Sequence, residues 1–279
     1  MDDGAGQAAQ GAPARTRHWL LVLLRRRFVK ALMVANLVAL LLLPLREAGW
    51  LQGLELSAYD TLVTFFAGSQ ESDRVVLVVT TEADINRFGY PIRDNDLSTV
   101  LARVFAGGPK AVGVDLYRDL PMPPGNEQLQ AIQRAQDNLY WVFKLPDEGN
   151  IGIPPPPALR ETGREVLADH VTDAGGVVRR ALLLAADERT GTNWRTMGVP
   201  LAERYTGQRL RPMNDDLALG QGRIPLLEQP YGPYARVDAA GYQMLTDYRG
   251  GHRRFRQISF AEIIDRPELA ATLRDRIVL

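Results

Sequence analysis

The chain has 279 residues, 46% of them hydrophobic, 24% charged and 8% aromatic, enough for one large domain or two small ones around a true core. It contains no cysteine, which excludes disulfides, thiolate metal sites and a cysteine nucleophile but leaves the compartment open. The formal charge is zero but unevenly spread: residues 1–30 carry six basic and two acidic side chains, a balance of +4, so the rest carries −4. A mildly acidic body lacks the clustered basic face that nucleic acid requires.

Residues 1–27 read as a basic cytoplasmic segment, disordered over the Ala-, Gly- and Gln-rich stretch 1–17. The short apolar run Trp19–Leu24 cannot span a bilayer and suits the inner interface. Residues 28–45, FVKALMVANLVALLLLPL, form an 18-residue run in which only Lys30 and Asn36 are polar. At 1.5 Å per residue this is about 27 Å of helix, enough to cross a membrane, with Pro44 marking the far end. Arg25-Arg26-Arg27 precedes the run, so the positive-inside rule places the N-terminus in the cytoplasm and residues 46–279 outside. A cleaved signal peptide is disfavoured because Arg46 stands where a small residue is needed. The other alternative, a buried core helix, rarely runs apolar on every face after three arginines.

Beyond the anchor, Leu51–Phe66 reads as a helix leaving the membrane. Arg74–Thr81 (RVVLVVTT) is a β-branched run of buried-strand type, followed by a loop through Phe88-Gly89-Tyr90-Pro91. Asp94–Ala106 places Leu97, Val100, Leu101, Val104 and Phe105 at helical spacing, with Asp94, Asn95 and Asp96 as capping residues and Gly107-Gly108-Pro109 as a stop. Ala111–Leu116 is a second strand, so strand, helix and strand make a parallel βαβ unit. A helix near Glu127–Gln136 and a strand at Leu139–Phe143 repeat the pattern, and the proline run within Ile153–Pro157 is an extended connector. Strands at Val177–Ala186 and Tyr242–Tyr248, short helices at Val199–Tyr205 and Ser259–Ile264, and a strand opening at Arg276–Leu279 complete the reading. The fold class is α/β, a mostly parallel mixed sheet with helices on its faces, preceded by one N-terminal transmembrane helix.

In order, Tyr59-Asp60, RVVLVVTT, Gly89-Tyr90-Pro91-Ile92-Arg93, GGPKAVGVDLYRD (Gly107–Asp119), DAGGVVRRALLLA (Asp173–Ala185), TDYRGGHRRFRQIS (Thr246–Ser259) and LRDRIVL resemble the second CHASE family. These are extracellular sensory domains associated with cyclases and with histidine and Ser/Thr kinases. Three positions depart from the pattern: Thr80-Thr81 replace an acidic residue after the first strand, Ile92 replaces an aromatic, and Gly175 stands where a second Asp is usual. The resemblance implies a receptor in the cell inner membrane with a periplasmic or extracellular body, incomplete at Leu279, whose cyclase or kinase output lies further along.

Ligands of parallel α/β sheets bind beyond the carboxyl ends of the strands. Thr80, Thr81 and Glu82 follow the first strand, Arg93 precedes the main helix and Asp115 ends the second strand. Thr81, Glu82, Arg93 and Asp115 are therefore the candidate ligand residues, with Arg93 a possible ion partner for Asp115. A structural ion pair at that loop is the competing reading. Asp173 and Gly175-Gly176 read as a turn opening a strand, and strand alternation argues against Arg179 and Arg180 sharing one pocket. Arg249–Arg256 reads as a solvated basic face or a headgroup contact. His18, His170 and His252 lack metal-ligand pairing, and neither a GxSxG elbow nor a P-loop occurs, so no catalytic centre, metal or cofactor is expected. The expected partners are the membrane, a small-molecule or protein ligand, and a second copy in a homodimer. A membrane-anchored hydrolase using Asp115 and Glu82, and a purely structural dimerisation module, are the alternatives.

Overall fold

The computed structural model describes residues 14–68, 71–147, 149–187, 189–248, 250–251 and 254–279, with side chains from 27 onward. Residues 1–13, with Arg249, His252 and Arg253 of the basic cluster, lie outside the described residues, as do the side chains of His18, Arg25 and Arg26. The chain divides into two compact units, one of residues up to 58 with 230–236, the other of 59–229 with 237–279.

The first unit contains α1 (Ala14–Glu47) and the opening turns of α2 (Gln52–Phe66). Within α1, Arg27–Glu47 is long and apolar enough to cross a membrane, and none of it is buried. Phe28, Leu32, Leu37, Leu40 and Leu41 are all exposed, which is the opposite of a soluble core helix. Residues 14–17, expected to be disordered, and the run Trp19–Leu24 continue this same helix, because extending an existing helix avoids the cost of a new nucleus. Pro44 lies inside the last turns, and the helix ends at Glu47, with Gly49 at φ 83° just beyond. Arg46 reaches the segment 230–236, donating to Gly232 O at 2.8 Å, and pairs with Glu55 at 2.8 Å. Gln52 Oε1 accepts from Ala235 N at 3.0 Å, fixing the same segment.

The second unit begins with β1 (Ser72–Val79), α3 (Glu82–Phe88), α4 (Asp94–Ala106), β2 (Ala111–Val114), α5 (Asn126–Ala135), β3 (Leu139–Phe143) and β4 (Glu165–Leu167). It continues with β5 (Arg180–Asp187), β6 (Thr192–Arg195), α6 (Gly198–Thr206), β7 (Leu210–Met213), β8 (Asp216–Leu219) and β9 (Gly222–Ile224). β10 (Tyr242–Leu245), β11 (Phe255–Ser259), α7 (Phe260–Asp265) and β12 (Ile277–Val278) complete it. Among the described residues, β11-β1-β12-β2-β3-β4 form one sheet in that order, with every pairing parallel. The protein is thus α/β, with a parallel sheet flanked by helices and two smaller antiparallel sheets, β10-β5-β6 and β7-β8-β9.

The sheet order departs from sequential pairing: β1 and β2 belong to one parallel sheet, but β12 inserts between them. β3 is buried along its whole length, as a central strand covered on both faces must be. Its Trp141 is fully buried and donates through Nε1 to Leu116 O at 2.5 Å. Val100, Leu101 and Val104 of α4, Leu129 of α5 and Ile263 of α7 join Val76, Val112 and Leu139 in this core, each worth roughly 1.5–3 kcal/mol of apolar burial. Gly113 of β2 permits a close approach: a Cβ there would lie 2.7 Å from both Leu279 Cδ2 and Met197 Sδ. That spacing lets α6 and its preceding residue settle against the sheet.

Two expectations need correction here. The stretch after β1 is not a continuous loop, since Thr81 and Asp84 form a reciprocal capping box that starts α3. Asp94 is not a cap of α4 either: Arg93 occupies that position, and the Asp94 carboxylate is buried. Its Oδ2 accepts from Met122 N at 2.9 Å and Asn126 Nδ2 at 3.2 Å, so it pins the loop before α5.

Candidate functional site

Because all six strands of the large sheet are parallel, their carboxyl ends share one edge. A cavity of about 530 Å³ opens there. Asp115 follows β2 directly, and Leu167 at the end of β4 leads into Ala168, Asp169 and His170, all on the cavity wall. Leu182 and Leu183 of β5, Met244 of β10 and Val199 of α6 also line it. The arrangement is held by a short bridge between Leu167 and Thr196 and by Met197 N donating to Leu167 O at 2.9 Å. An apolar hollow with a few converging polar groups is the usual form of a small-molecule site.

Several polar groups on the wall already have partners. Thr196 donates its hydroxyl to Leu182 O at 2.6 Å, and Tyr248 donates to Val178 O. Arg180 donates to Asp173 at 2.8 Å, to Gln243 Oε1 at 2.5 Å and to Asp238 O at 2.8 Å. By contrast, neither Asp115 nor Asp169 forms a salt bridge among the described residues. Burial pushes the Asp169 carboxyl above its ordinary range, with Lys144 pulling the other way. Burial likewise raises the phenol of Tyr117, and the charges of Asp169 and Asp115 add to the effect, so all three groups share one electrostatic neighbourhood.

Arg180 also belongs to a buried ionic chain. Asp173 accepts from Arg179 at 3.0 Å and from Arg180 at 2.7 Å, and Arg179 turns its other nitrogens to both oxygens of Asp60 on α2 at 2.7 Å each. Asp60 and Arg179 lie 119 residues apart in sequence. The Arg179 hydrogen bonds hold the Asp60 carboxyl below its usual range and push the guanidinium upward. Strand alternation does not keep the two arginines apart, because Arg179 precedes β5 and only Arg180 lies within it. The expected turn is present, with Gly176 N donating to Asp173 O at 3.1 Å. A second hollow of about 580 Å³ lies beside Tyr59, Asp60 and Tyr248, but Asp60 is already engaged there by Arg179.

The four residues read from sequence do not come together. Asp115 lines the cavity, whereas Thr81 caps α3 and hydrogen-bonds Asp84 Oδ2 at 2.7 Å. Glu82 and Arg93 are exposed at the starts of α3 and α4, and no ion pair joins Arg93 to Asp115 among the described residues. A smaller cavity of about 180 Å³ on the same edge has Thr80 and Asp115 in its lining. The Arg118 guanidinium faces Asp94 instead, at 3.7 Å, and donates to Ile92 O at 2.7 Å. Ile92, which replaces an aromatic of the family pattern, is buried all the same. Asp169 escaped the sequence reading because β4 is only three residues long. A usable signal was present, since Val166-Leu167-Ala168-Asp169 repeats the apolar-run-then-Asp form of AVGVD.

The family model of the CHASE2 domain matches residues 37–279. No curated protein and no solved structure matches the chain. The matched span takes in β1 through β12, including the cavity and the ionic chain, and on that extent the chain belongs to the CHASE2 family of extracellular sensory domains.

Proposed function

We propose that this chain is the sensory input portion of a bacterial transmembrane receptor, in which a small molecule occupies the cavity at the carboxyl edge of the parallel sheet. The reading is carried by one observation: Arg180 lines that cavity and also starts the ionic chain that ends at Asp60 on α2. A ligand that favours one placement of β5 over another thereby biases α2, and only such differential binding can shift a two-state receptor. In this proposal α1 sits in the inner membrane with residues 28–45 as its span. Arg25-Arg26-Arg27 keeps the N-terminus cytoplasmic, and residues 46–279 face the periplasm as one sensory domain. The output is a cyclase or kinase on the cytoplasmic side. An open cavity whose two carboxylates form no ion pair among the described residues favours ligand sensing over a purely structural dimerisation module, although the receptor itself acts as a homodimer.

Two measurements test this. The chain lacks cysteine, so Thr172→Cys, at an exposed position, gives a single label site. An impermeant maleimide should modify it in intact spheroplasts, and labelling only after lysis overturns the orientation. Joined to a reporter cyclase, the chain should lose its response to extracytoplasmic conditions when Asp60→Ala breaks the ionic chain. A response unchanged by that substitution rejects the transmission route.

A further inference from the structure

The ligand's chemistry is legible in the cavity wall, an inference that rests on the reading of this cavity as the sensory site. Its body is aliphatic: Leu167, Leu182, Leu183, Val199, Met197 and Met244 line it. The two methionines can adjust their flexible thioethers to the shape of an apolar group. Among the described residues, the formal charges on the wall besides Arg180 are Asp115 and Asp169, with His170 beside them. Arg180 and Lys144 already have carboxylate partners, and His170, exposed beside Asp169, attracts it less than Lys144 does. Arg180 is bound by Asp173 at 2.7 Å, and Lys144, the group that attracts Asp169 most, is held by Asp147 at 3.0 Å. β3 separates β2 from β4, so about two strand spacings, roughly 10 Å, divide the strands that carry the two carboxylates. They cannot share a proton directly, yet the charges of both reach Tyr117.

We infer that this cavity takes a small organic cation, an apolar body bearing a protonated amine, with the ammonium turned toward Asp115 and Asp169 and the body packed among Leu182, Leu183, Val199 and Met244. A carboxylate or phosphate ligand would add a third negative charge beside the half-buried Asp169 and the exposed Asp115, while a neutral apolar ligand would offer neither carboxylate a counter-charge. An ammonium gives them a charge-assisted partner. The volume of about 530 Å³ admits a body the size of one or two rings.

The test uses the full chain in lipid nanodiscs and three probes of nearly equal shape: 2-phenylethylamine, 2-phenylethanol and 3-phenylpropanoate. Titration calorimetry should show the amine binding at least about ten-fold more tightly than the alcohol, with the acid weakest. The double substitution Asp115→Asn with Asp169→Asn should remove that preference while leaving binding of the alcohol in place. Ala202→Trp or Ala181→Trp, which fill the hollow, should abolish binding of all three, with circular dichroism reporting that each variant is folded. Equal affinities, or a preference for the acid, would overturn the cationic ligand and leave the cavity as a sensory site. If none of the probes binds, or if neither tryptophan variant affects binding, both the cationic ligand and the ligand-binding role of this cavity are rejected.

Discussion

Two buried aspartate–arginine clusters stabilise this domain by different means. Asp94 and Arg118 have side chains 0% and 5% exposed yet approach only to 3.7 Å, and Asp94 Oδ1 and Arg118 Nε have no hydrogen-bond partner among the described residues. Asp173 lies at 3.0 and 2.7 Å from Arg179 and Arg180, with Asp60, Gln243 and the Asp238 carbonyl taking further guanidinium nitrogens. In the first cluster most of the holding is done by neutral groups: Asp94 Oδ2 fastens Met122 and Asn126, and Arg118 fastens Ile92 O. In the second, charge itself joins α2 to the start of β5. Proximity of opposite charges is therefore a poor measure of what a buried pair does, and the count of satisfied lone pairs and N–H groups is a better one.

The largest expected effect separates the clusters at once. Asp173→Ala leaves two buried arginines adjacent without their shared carboxylate, and should cost about 3–5 kcal/mol of stability. Urea unfolding of the full chain in detergent, followed by tryptophan fluorescence, reads this directly. A loss below about 1 kcal/mol would mean that Asp60 and Gln243 suffice on their own. Next comes Arg118→Met, expected to cost about 2 kcal/mol because Asp94 stays buried without a counter-charge and Ile92 O loses its donor. Adding Asp94→Asn should recover part of that loss, since a neutral amide can still accept from Met122 N while carrying no charge. The same second substitution deepening the loss would show that the charge-assisted bonds from Met122 N and Asn126 Nδ2 to the Asp94 carboxylate outweigh the cost of its unpaired charge.

The clusters also mark where sequence was and was not enough. α4 matches its expected span, Asp94–Ala106, because five apolar residues at helical spacing and a glycine stop leave little else for that segment to do. β3 matches as well, Leu139–Phe143, since an unbroken apolar run between polar ends can only be buried. β11 was missed, because Phe255–Ser259 carries Arg256 and Gln257 and pairs with β1 on just one side, at the end of the sheet. Its membership is decided by a partner more than 170 residues earlier in the chain. The hairpins β7-β8-β9 were missed for a related reason: Arg211, Asp216 and Arg223 dilute the alternation of strands only three or four residues long. The candidate cavity was half legible. Asp115 follows from the rule of strand ends, but Asp169 and the pairing of Asp60 with Arg179 depend on contacts that no local pattern encodes.

The smallest expected effect tests the outermost link of the satisfied cluster. The Asp60 side chain is 38% exposed, so water screens its pair with Arg179, and Asp60→Asn should cost only about 1 kcal/mol near neutral pH. Its dependence on pH has a definite sign. The Arg179 hydrogen bonds depress the folded-state pKa of Asp60 below its ordinary value near 3.8. The stabilisation is therefore fully present above that value and is lost as pH falls through the lower, folded-state one. Unfolding curves of the wild type and Asp60→Asn should thus differ by a constant amount from neutrality down to about pH 5 and converge below it. A difference that persists unchanged into strong acid would mean that Asp60 acts through the shape of its hydrogen bonds to Arg179. The outer end of the cluster would then resemble Asp94, held by geometry more than by charge.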